Sequence, residues 1–413
     1  MKKFLILVCM VLVTVSCAKR NVKPAVQKSV QTCDCAQQTA PNQPPDTTKS
    51  NGETKPATPI ITPDYSLLKS AAWSDIDGFA EDDLGAAWPV WLKSCSTLKN
   101  KPAWQVVCAA AQNMNNPDSA AIQAYFTQNF NVYRASNQDG TDTGLITGYY
   151  QPLLKGSRNK SVQYPHPIYR QPSDLVTVEL GELYPELKYK RVRGKLVGNK
   201  LVPYMTRAEI EASPSPMSGT EIMWINDVID VFFLQIQGSG LVQLDNGEQV
   251  QVGYADQNGH PYNSIGRLLV ERGELTLDQA SMQGIKNWAR NNMEKLRDLL
   301  NSNPSYVFFR ELPAGLPGPL GALGVPVTAE RSMAVDPKFV PLGAPAFLST
   351  TQPNSTKPLK RLMMAQDTGG AIKGGVRADF FWGAGNEAGK QAGAMKQTGK
   401  IWVLLPKDFQ FPK

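Results

Sequence analysis

The chain has 413 residues, 42% of them apolar and 19% charged, and a net charge of +7. That length allows two or three domains with ample core, in the composition of a folded globular protein. There are only two histidines, no Cys-x-x-Cys pair, no Walker-type loop, no dinucleotide fingerprint and no basic block interleaved with aromatics, which argues against a zinc site, nucleotide chemistry and nucleic-acid binding.

Residues 1–16 read as a signal peptide: Lys2 and Lys3, then an apolar run from Phe4 to Val15 that is too short to span a bilayer. The run ends Leu-Val-Thr-Val-Ser-Cys17, which is similar to the lipobox of bacterial lipoproteins, although Thr14 stands where that box has Leu or Val. The class is cleaved before the cysteine, and Cys17 would then carry the lipid; a plain secretory leader with an incidental cysteine is the alternative. Ala18, not Asp, follows, which in that class implies a lipid-anchored place at the outer membrane, facing the periplasm.

Residues 17–64 form the lipidated cysteine and a tether of Gln, Thr, Pro, Lys and Asn without one aromatic, a composition that predicts disorder. Fully extended, such a tether reaches roughly 150 Å. The pairing of Cys33 and Cys35 within it is left open. From Tyr65 to about Ser136 the apolar spacing turns helical, over Trp73–Leu98, Trp104–Met114 and Ser119–Phe130. Cys95 and Cys108 lie on successive predicted helices. In an oxidising envelope compartment a disulfide is expected between them, the alternative being two buried free thiols.

Gly144–Leu153 reads as a strand with Thr147 and Tyr149 on it, and strand-like segments continue to about Val252. Asp230–Gly240 alternates and is expected as a strand that ends in Gln237-Gly-Ser239, with Tyr254–Tyr262 as a loop dense in aromatics and amides. Rings, amides and hydroxyls suit sugars, which makes Thr147, Tyr149, Gln237, Ser239, Tyr254, His260 and Trp382 the candidate substrate-binding residues; the alternative is an ordinary loop, where Asn, Gln and Tyr are common without a ligand and His260 is a turn residue. Ser264–Gly273 and Leu277–Asn301 are predicted helices, and strands resume at Ser305–Arg310.

The last region carries the chemistry. An apolar strand from Arg361 leads into Asp367, a turn with Gly369, Gly370, Gly374 and Gly375 follows, and Asp379 stands beside Phe380, Phe381 and Trp382. Desolvation by rings raises a carboxyl pKa, as a general acid at neutral pH requires. Lys373 would hold a substrate carboxylate, yet a cation nearby would also lower the pKa of Asp379. Asp336 reads as a staple between turns. A glycine-rich hairpin with two solvated aspartates is the plain alternative.

Together the segments Gly148-Tyr-Tyr-Gln-Pro, Phe233-Leu-Gln-Ile-Gln-Gly-Ser-Gly240, Gly253–Gly266, Asn303-Pro-Ser-Tyr-Val-Phe-Phe309, Ala365–Gly374 and Asp379-Phe-Phe-Trp-Gly383 strongly resemble the membrane-bound lytic murein transglycosylase A family. The C-terminal part resembles the 3D domain, named for three aspartates, here Asp336, Asp367 and Asp379. The resemblance implies a mainly β protein with N-terminal helices: a double-psi β-barrel domain interrupted by a second β-rich domain, with a groove for glycan between them. The boundaries expected are 65–150 for the helices and first part of the barrel, 151–304 for the insert, and 305–413 for the remainder. It implies cleavage of the MurNAc-β-1,4-GlcNAc bond of peptidoglycan to 1,6-anhydromuramic ends, with Asp379 as the single acid and base and with Asp367, Asp336 and Lys373 in support. No metal or cofactor is called for. The partners implied are glycan strands and the outer membrane through the lipid anchor, and cell-wall synthesis or division proteins enter without a motif that singles one out. The rival readings are an inverting glycoside hydrolase using Asp379 and Asp367, and a non-catalytic peptidoglycan-binding lipoprotein.

Overall fold

The computed structural model describes residues 63–184, 187 and 192–411. The leader, Cys17 and the tether with Cys33 and Cys35 lie outside the described residues. Strand β1 (Leu68–Ala71) comes first, then helices α1 (Leu84–Leu98), α2 (Gln105–Gln112) and α3 (Ser119–Asn129), and strands β2 (Phe130–Ala135) and β3 (Gly144–Gln151). Helix α1 starts at Leu84, eleven residues later than the periodicity from Trp73 suggests. Gly78 takes a positive φ of 97°, and the Asp83 side chain accepts the Ala86 N–H at 3.0 Å to cap the helix there. The disulfide Cys95–Cys108 joins α1 to α2, with both residues fully buried.

The middle of the chain holds β4 (Leu153–Ser157), β5 (His166–Tyr169), β6 (Val176–Thr177), β7 (Arg193–Val197), β8 (Lys200–Pro203), α4 (Arg207–Ile210) and β9 (Glu221–Ile225). It continues with α5 (Val228–Gln237), β10 (Ser239–Leu244), β11 (Gln249–Gln257), α6 (Ile265–Glu271), α7 (Met282–Asn291), α8 (Met293–Asn301) and β12 (Val307–Glu311). The C-terminal part is β13 (Ser332–Val335), β14 (Pro345–Thr351), β15 (Pro358–Thr368), β16 (Ala378–Ala384), α9 (Gly385–Ala394) and β17 (Lys396–Pro406).

Six strands close into a barrel in the order β3-β16-β13-β15-β14-β17, because the first half of β17 pairs with β3. Two of its pairings are parallel, β13 with β15 and β16 with β3. The second half of β17 carries β2 on the same edge, and β1 follows outside it. Helices α1–α3 cover this barrel, and its core runs from Trp91 and Phe126 through Phe347 and Met364 to Leu404. The inserted part is a six-stranded sheet, β12-β11-β10-β4-β9-β5, whose edges are brought together by one bridge between Arg170 and Phe309, with β6–β8 as a small third sheet.

Two expectations need correction. Asp230–Gly240 is not a strand: α5 runs from an Asp227 cap, whose side chain accepts the Ile229 N–H at 2.7 Å, to Gly238 at φ 75°. Its apolar residues divide between two cores, Val231 and Leu234 in one and Ile229, Phe232 and Phe233 in another. A helix buried on several sides is apolar nearly all round, and this mimics a strand run. The Ser305–Phe309 segment, expected in the barrel, pairs instead with β11 of the insert through Val307–Glu311. Among the described residues no helix is long and apolar enough to cross a membrane.

Candidate active site

Register puts four residues side by side across four barrel strands. On β16, Asp379 stands opposite Thr147 of β3 on one side and Ala334 of β13 on the other. Ala334 in turn stands opposite Asp367 of β15, because the β13–β15 register shifts after Met333 and skips Gln366. A bulge of this kind re-aims the residue that follows it. Gln366 is fully buried and satisfied: its Oε1 accepts from Ser332 Oγ at 2.6 Å, and its Nε2 donates to Val90 O and Ser94 Oγ. The resulting row, Asp367–Ala334–Asp379–Thr147, places the two carboxyls two strand spacings apart, roughly 10 Å between Cα atoms.

Alternation decides what surrounds Asp379. Phe381 shares its face and packs with Tyr149, Val327, Ala334 and Ile372 in a small apolar cluster. The Tyr149 and Phe381 rings are 5.0 Å apart. Phe380 and Trp382 turn the other way, into the barrel core, 4.7 Å from each other, and Trp382 Nε1 donates to Met395 Sδ at 3.3 Å. One ring of the three expected, together with Tyr149, therefore lies on the carboxyl's side. Trp382 is not brought to the row.

Asp379 is half-buried and its Oδ1 accepts from the Thr147 hydroxyl at 2.6 Å. Burial pushes its carboxyl above the usual range, against the downward pull of the Thr147 hydrogen bond and the Arg377 guanidinium. Asp367 is pushed up to about 6, again by burial first. Its Oδ1 accepts the Thr368 N–H at 2.8 Å and the Ala322 N–H at 3.0 Å, which pull the other way, and the charge on Asp379 adds to the rise. The Tyr149 hydroxyl is more than nine-tenths buried and meets no partner in full hydrogen-bond geometry, although it stands near enough to Asp367 to help hold that carboxyl down. Burial and both carboxylates push the tyrosine itself well above its ordinary value.

The other sequence candidates fall in three places. Asp336 is buried beneath the glycine turn, where its carboxylate accepts the N–H of Gly374 at 3.0 Å and of Lys338 at 3.2 Å. Lys373 is exposed and lies 4.0 Å from Asp336. Gln237 ends α5 and its Oε1 accepts the Tyr150 N–H at 3.1 Å, which ties insert to barrel beside Tyr149. Ser239 and Tyr254 lie on β10 and β11, with Ser239 opposite Gly253. His260 is not brought to the row: its Nε2 is 2.7 Å from the Tyr204 carbonyl, within the insert. Among the described residues no cluster of three or more His, Cys, Asp or Glu is placed to hold a metal.

Arg377 is a residue that sequence reasoning missed. Half-buried, it donates from Nη2 to Thr147 Oγ1 at 2.9 Å and from Nη1 to the carbonyls of Ala378 at 2.6 Å and Leu145 at 3.3 Å. Its position two residues before Asp379 in an extended run was the available signal, since that spacing shares a face. A cleft of about 1600 Å³ runs between α9 and the insert helices, lined by Tyr150, Phe233, Ile265, Met282 and Lys286 among others. Asp379 is not among its lining residues; Tyr150 and Tyr149, adjacent on β3, face opposite ways.

Comparison with known proteins agrees with this architecture. The MltA specific insert domain matches residues 145–310, and the 3D domain matches residues 331–405. The chain is similar to membrane-bound lytic murein transglycosylase A of Escherichia coli (strain K12), 34% identical over 282 residues that make up 66% of this chain and 68% of the relative. Among solved structures, the monoclinic form of MltA from Neisseria gonorrhoeae matches with a TM-score of 0.72 at 36% identity, over 84% of this chain and 94% of that one. Escherichia coli MltA with bound chitohexaose matches at 0.60 and 25% identity, over 86% and 95%. The chain belongs to the membrane-bound lytic murein transglycosylase A (MltA) family.

Proposed function

We propose that this chain, by family a peptidoglycan lytic transglycosylase, cleaves the MurNAc-β-1,4-GlcNAc bond with Asp379 as its single acid and base and leaves 1,6-anhydromuramic ends. The observation that carries this is the setting of Asp379: a half-buried carboxyl beside an apolar cluster, held up by burial although a hydroxyl and a guanidinium oppose the rise. Neutral Asp379 gives its proton to the glycosidic oxygen as the bond to muramic C1 breaks. The muramic C6 oxygen then bonds to C1, and its hydrogen goes to the vacated carboxylate. Protons balance and no water enters, so no second carboxylate is required to activate one, in contrast to hydrolysis.

Asp367 suits a different role. With Oδ1 engaged by two backbone N–H groups, it holds the Ala322 loop against β15 and faces the positive charge that develops on the sugar. The Tyr149 hydroxyl, beside Asp367, lies on the barrel side of the glycan path, with Gln237, Ser239 and Tyr254 on the insert side. A relative that was crystallised with chitohexaose supports an extended oligosaccharide there. Asp336 and Lys373 act as staple and partner of the glycine turn rather than on substrate. Domain limits belong to the same proposal, with the helices and first part of the barrel at 65–150 and the insert from 151 through β12 at Glu311.

Lipidation of Cys17 and an outer-membrane place facing the periplasm are likewise proposed, in line with relatives named membrane-bound. Cys17→Ser is expected to release the protein from the membrane pellet to the soluble fraction; retention in the pellet contradicts the anchor. For the chemistry, Asp379→Asn is expected to lose on the order of 10²–10⁴-fold in release of soluble fragments from purified murein, with sacculus binding kept. Unchanged release by this variant would overturn the assignment.

A further inference from the structure

We propose that Arg377 is a positioning residue that acts through Thr147: it fixes the threonine hydroxyl as a donor to Asp379 Oδ1 and so leaves Oδ2 to carry the proton that is transferred. The proposal rests on the reading of Asp379 as acid and base, and concerns how that one site is set.

Hydrogen-bond accounting leads to it. An arginine has five donors and no acceptor, so the 2.9 Å contact from Nη2 makes Thr147 Oγ1 the acceptor. The hydroxyl has one hydrogen of its own, and among the described residues Asp379 Oδ1, at 2.6 Å, is the acceptor it meets. Arg377 is itself held by two carbonyls, one on each strand of the parallel pair: Ala378 on β16 and Leu145 on β3. The guanidinium therefore has little freedom to leave, and the order Arg377→Thr147→Asp379 is fixed at both ends. With Oδ1 occupied as acceptor, a neutral Asp379 keeps its hydrogen on Oδ2.

The same chain of donors acts after transfer. When Oδ2 has given its proton to the glycosidic oxygen, the new carboxylate keeps a charge-assisted bond on Oδ1. Oδ2 stays free to receive the C6 hydrogen as the anhydro bond closes. Burial raises the Asp379 carboxyl, and the Thr147 hydrogen bond and the Arg377 charge pull against that rise, so the relay also tempers the acid. The charged and titratable groups that face Asp379 are Arg377 from the preceding turn, Asp367 from β15 and Tyr149 from β3, while β13 presents Ala334.

The test is the pH dependence of kcat/KM for murein digestion in the full chain, where activity falls as pH rises through the ionisation of the acid. Thr147→Val, which removes the donor, is expected to move that alkaline limb upward by about one pH unit and to lower the plateau by about tenfold or more. Thr147→Ser, which keeps the hydroxyl, is expected to retain the wild-type limb and controls for misfolding. Arg377→Met is expected to shift the limb the same way, and by less in the Thr147→Val background than in wild type. An unmoved limb in Thr147→Val, a Ser variant that behaves like the Val variant, or an equal Arg377→Met shift in both backgrounds would overturn the relay. An active Asp379→Asn variant would instead overturn the acid/base reading itself, so the two failures are told apart.

Discussion

Asp367 keeps two backbone N–H groups on one oxygen, and its carboxyl still stands near 6 because burial outweighs them. The linkage follows from that sign. Below the unfolded-state pKa of about 4, both states are protonated and the group contributes no difference. As pH rises from about 4 to about 6 the unfolded chain releases its proton first, so stability falls through that window and stays lower above it. Asp367→Asn keeps an acceptor for Ala322 and Thr368 without the charge. Thermal unfolding of this variant is expected to show a gain on the order of 1–3 kcal/mol near pH 8 and none near pH 4. An equal change at both pH values would contradict the burial account. The aspartates were legible as residues, but their neighbours were not. Sequence adjacency suggested Phe380 and Trp382, whereas strand alternation sends both to the core and leaves Phe381 with Tyr149. Arg377 escaped because its hydroxyl partner, Thr147, is 230 positions away in the chain.

Elements with local determinants were read well. Helices α2 and α3 fall within a few residues of their apolar spacing, and α3 begins where the Asp118 side chain accepts the Ala121 N–H at 2.8 Å. Helix α5 was misread because burial between two cores erased the polar face that distinguishes helix from strand. The Cys95–Cys108 link closes a loop with a sequence separation of 13 and staples α1 to α2. Replacing both cysteines with alanine is expected to cost about 2–4 kcal/mol, read as a lower Tm, with activity at room temperature kept, since the link lies in the helical cover and not in the row. An unchanged Tm would contradict that role. Gly148 shows a tighter constraint: a Cβ there would stand 2.6 Å from Trp382 Nε1 and 2.8 Å from Ala392 Cα. Gly148→Ala is expected to push α9 off the β3–β16 pair and to destabilise by about 1–3 kcal/mol, measured by denaturant unfolding. Unfolding at wild-type denaturant concentration would show that the helix has room to move.

At the scale of the whole molecule, the site is assembled by closure. Strand β3 enters the barrel, the chain leaves for the insert after Gln151, and β12 ends the insert at Glu311 before β13–β17 complete the ring around β3. Thr147 and Tyr149 come from before the insert, and Asp367, Arg377 and Asp379 from after it. The resemblance made a barrel with an insert legible. The crossover of β12 to the insert, the single-residue slip at Gln366 and the docking of the Ala322 loop on Asp367 were not legible, because long-range pairing sets each of them and no local signal does. The central claim, that one carboxyl suffices because the sugar attacks itself, is tested most directly by digesting purified murein in water enriched in heavy oxygen and weighing the products. The account predicts muramic ends lighter by one water than hydrolysed ends and free of the heavy isotope. Reducing ends that carry the heavy oxygen would contradict it.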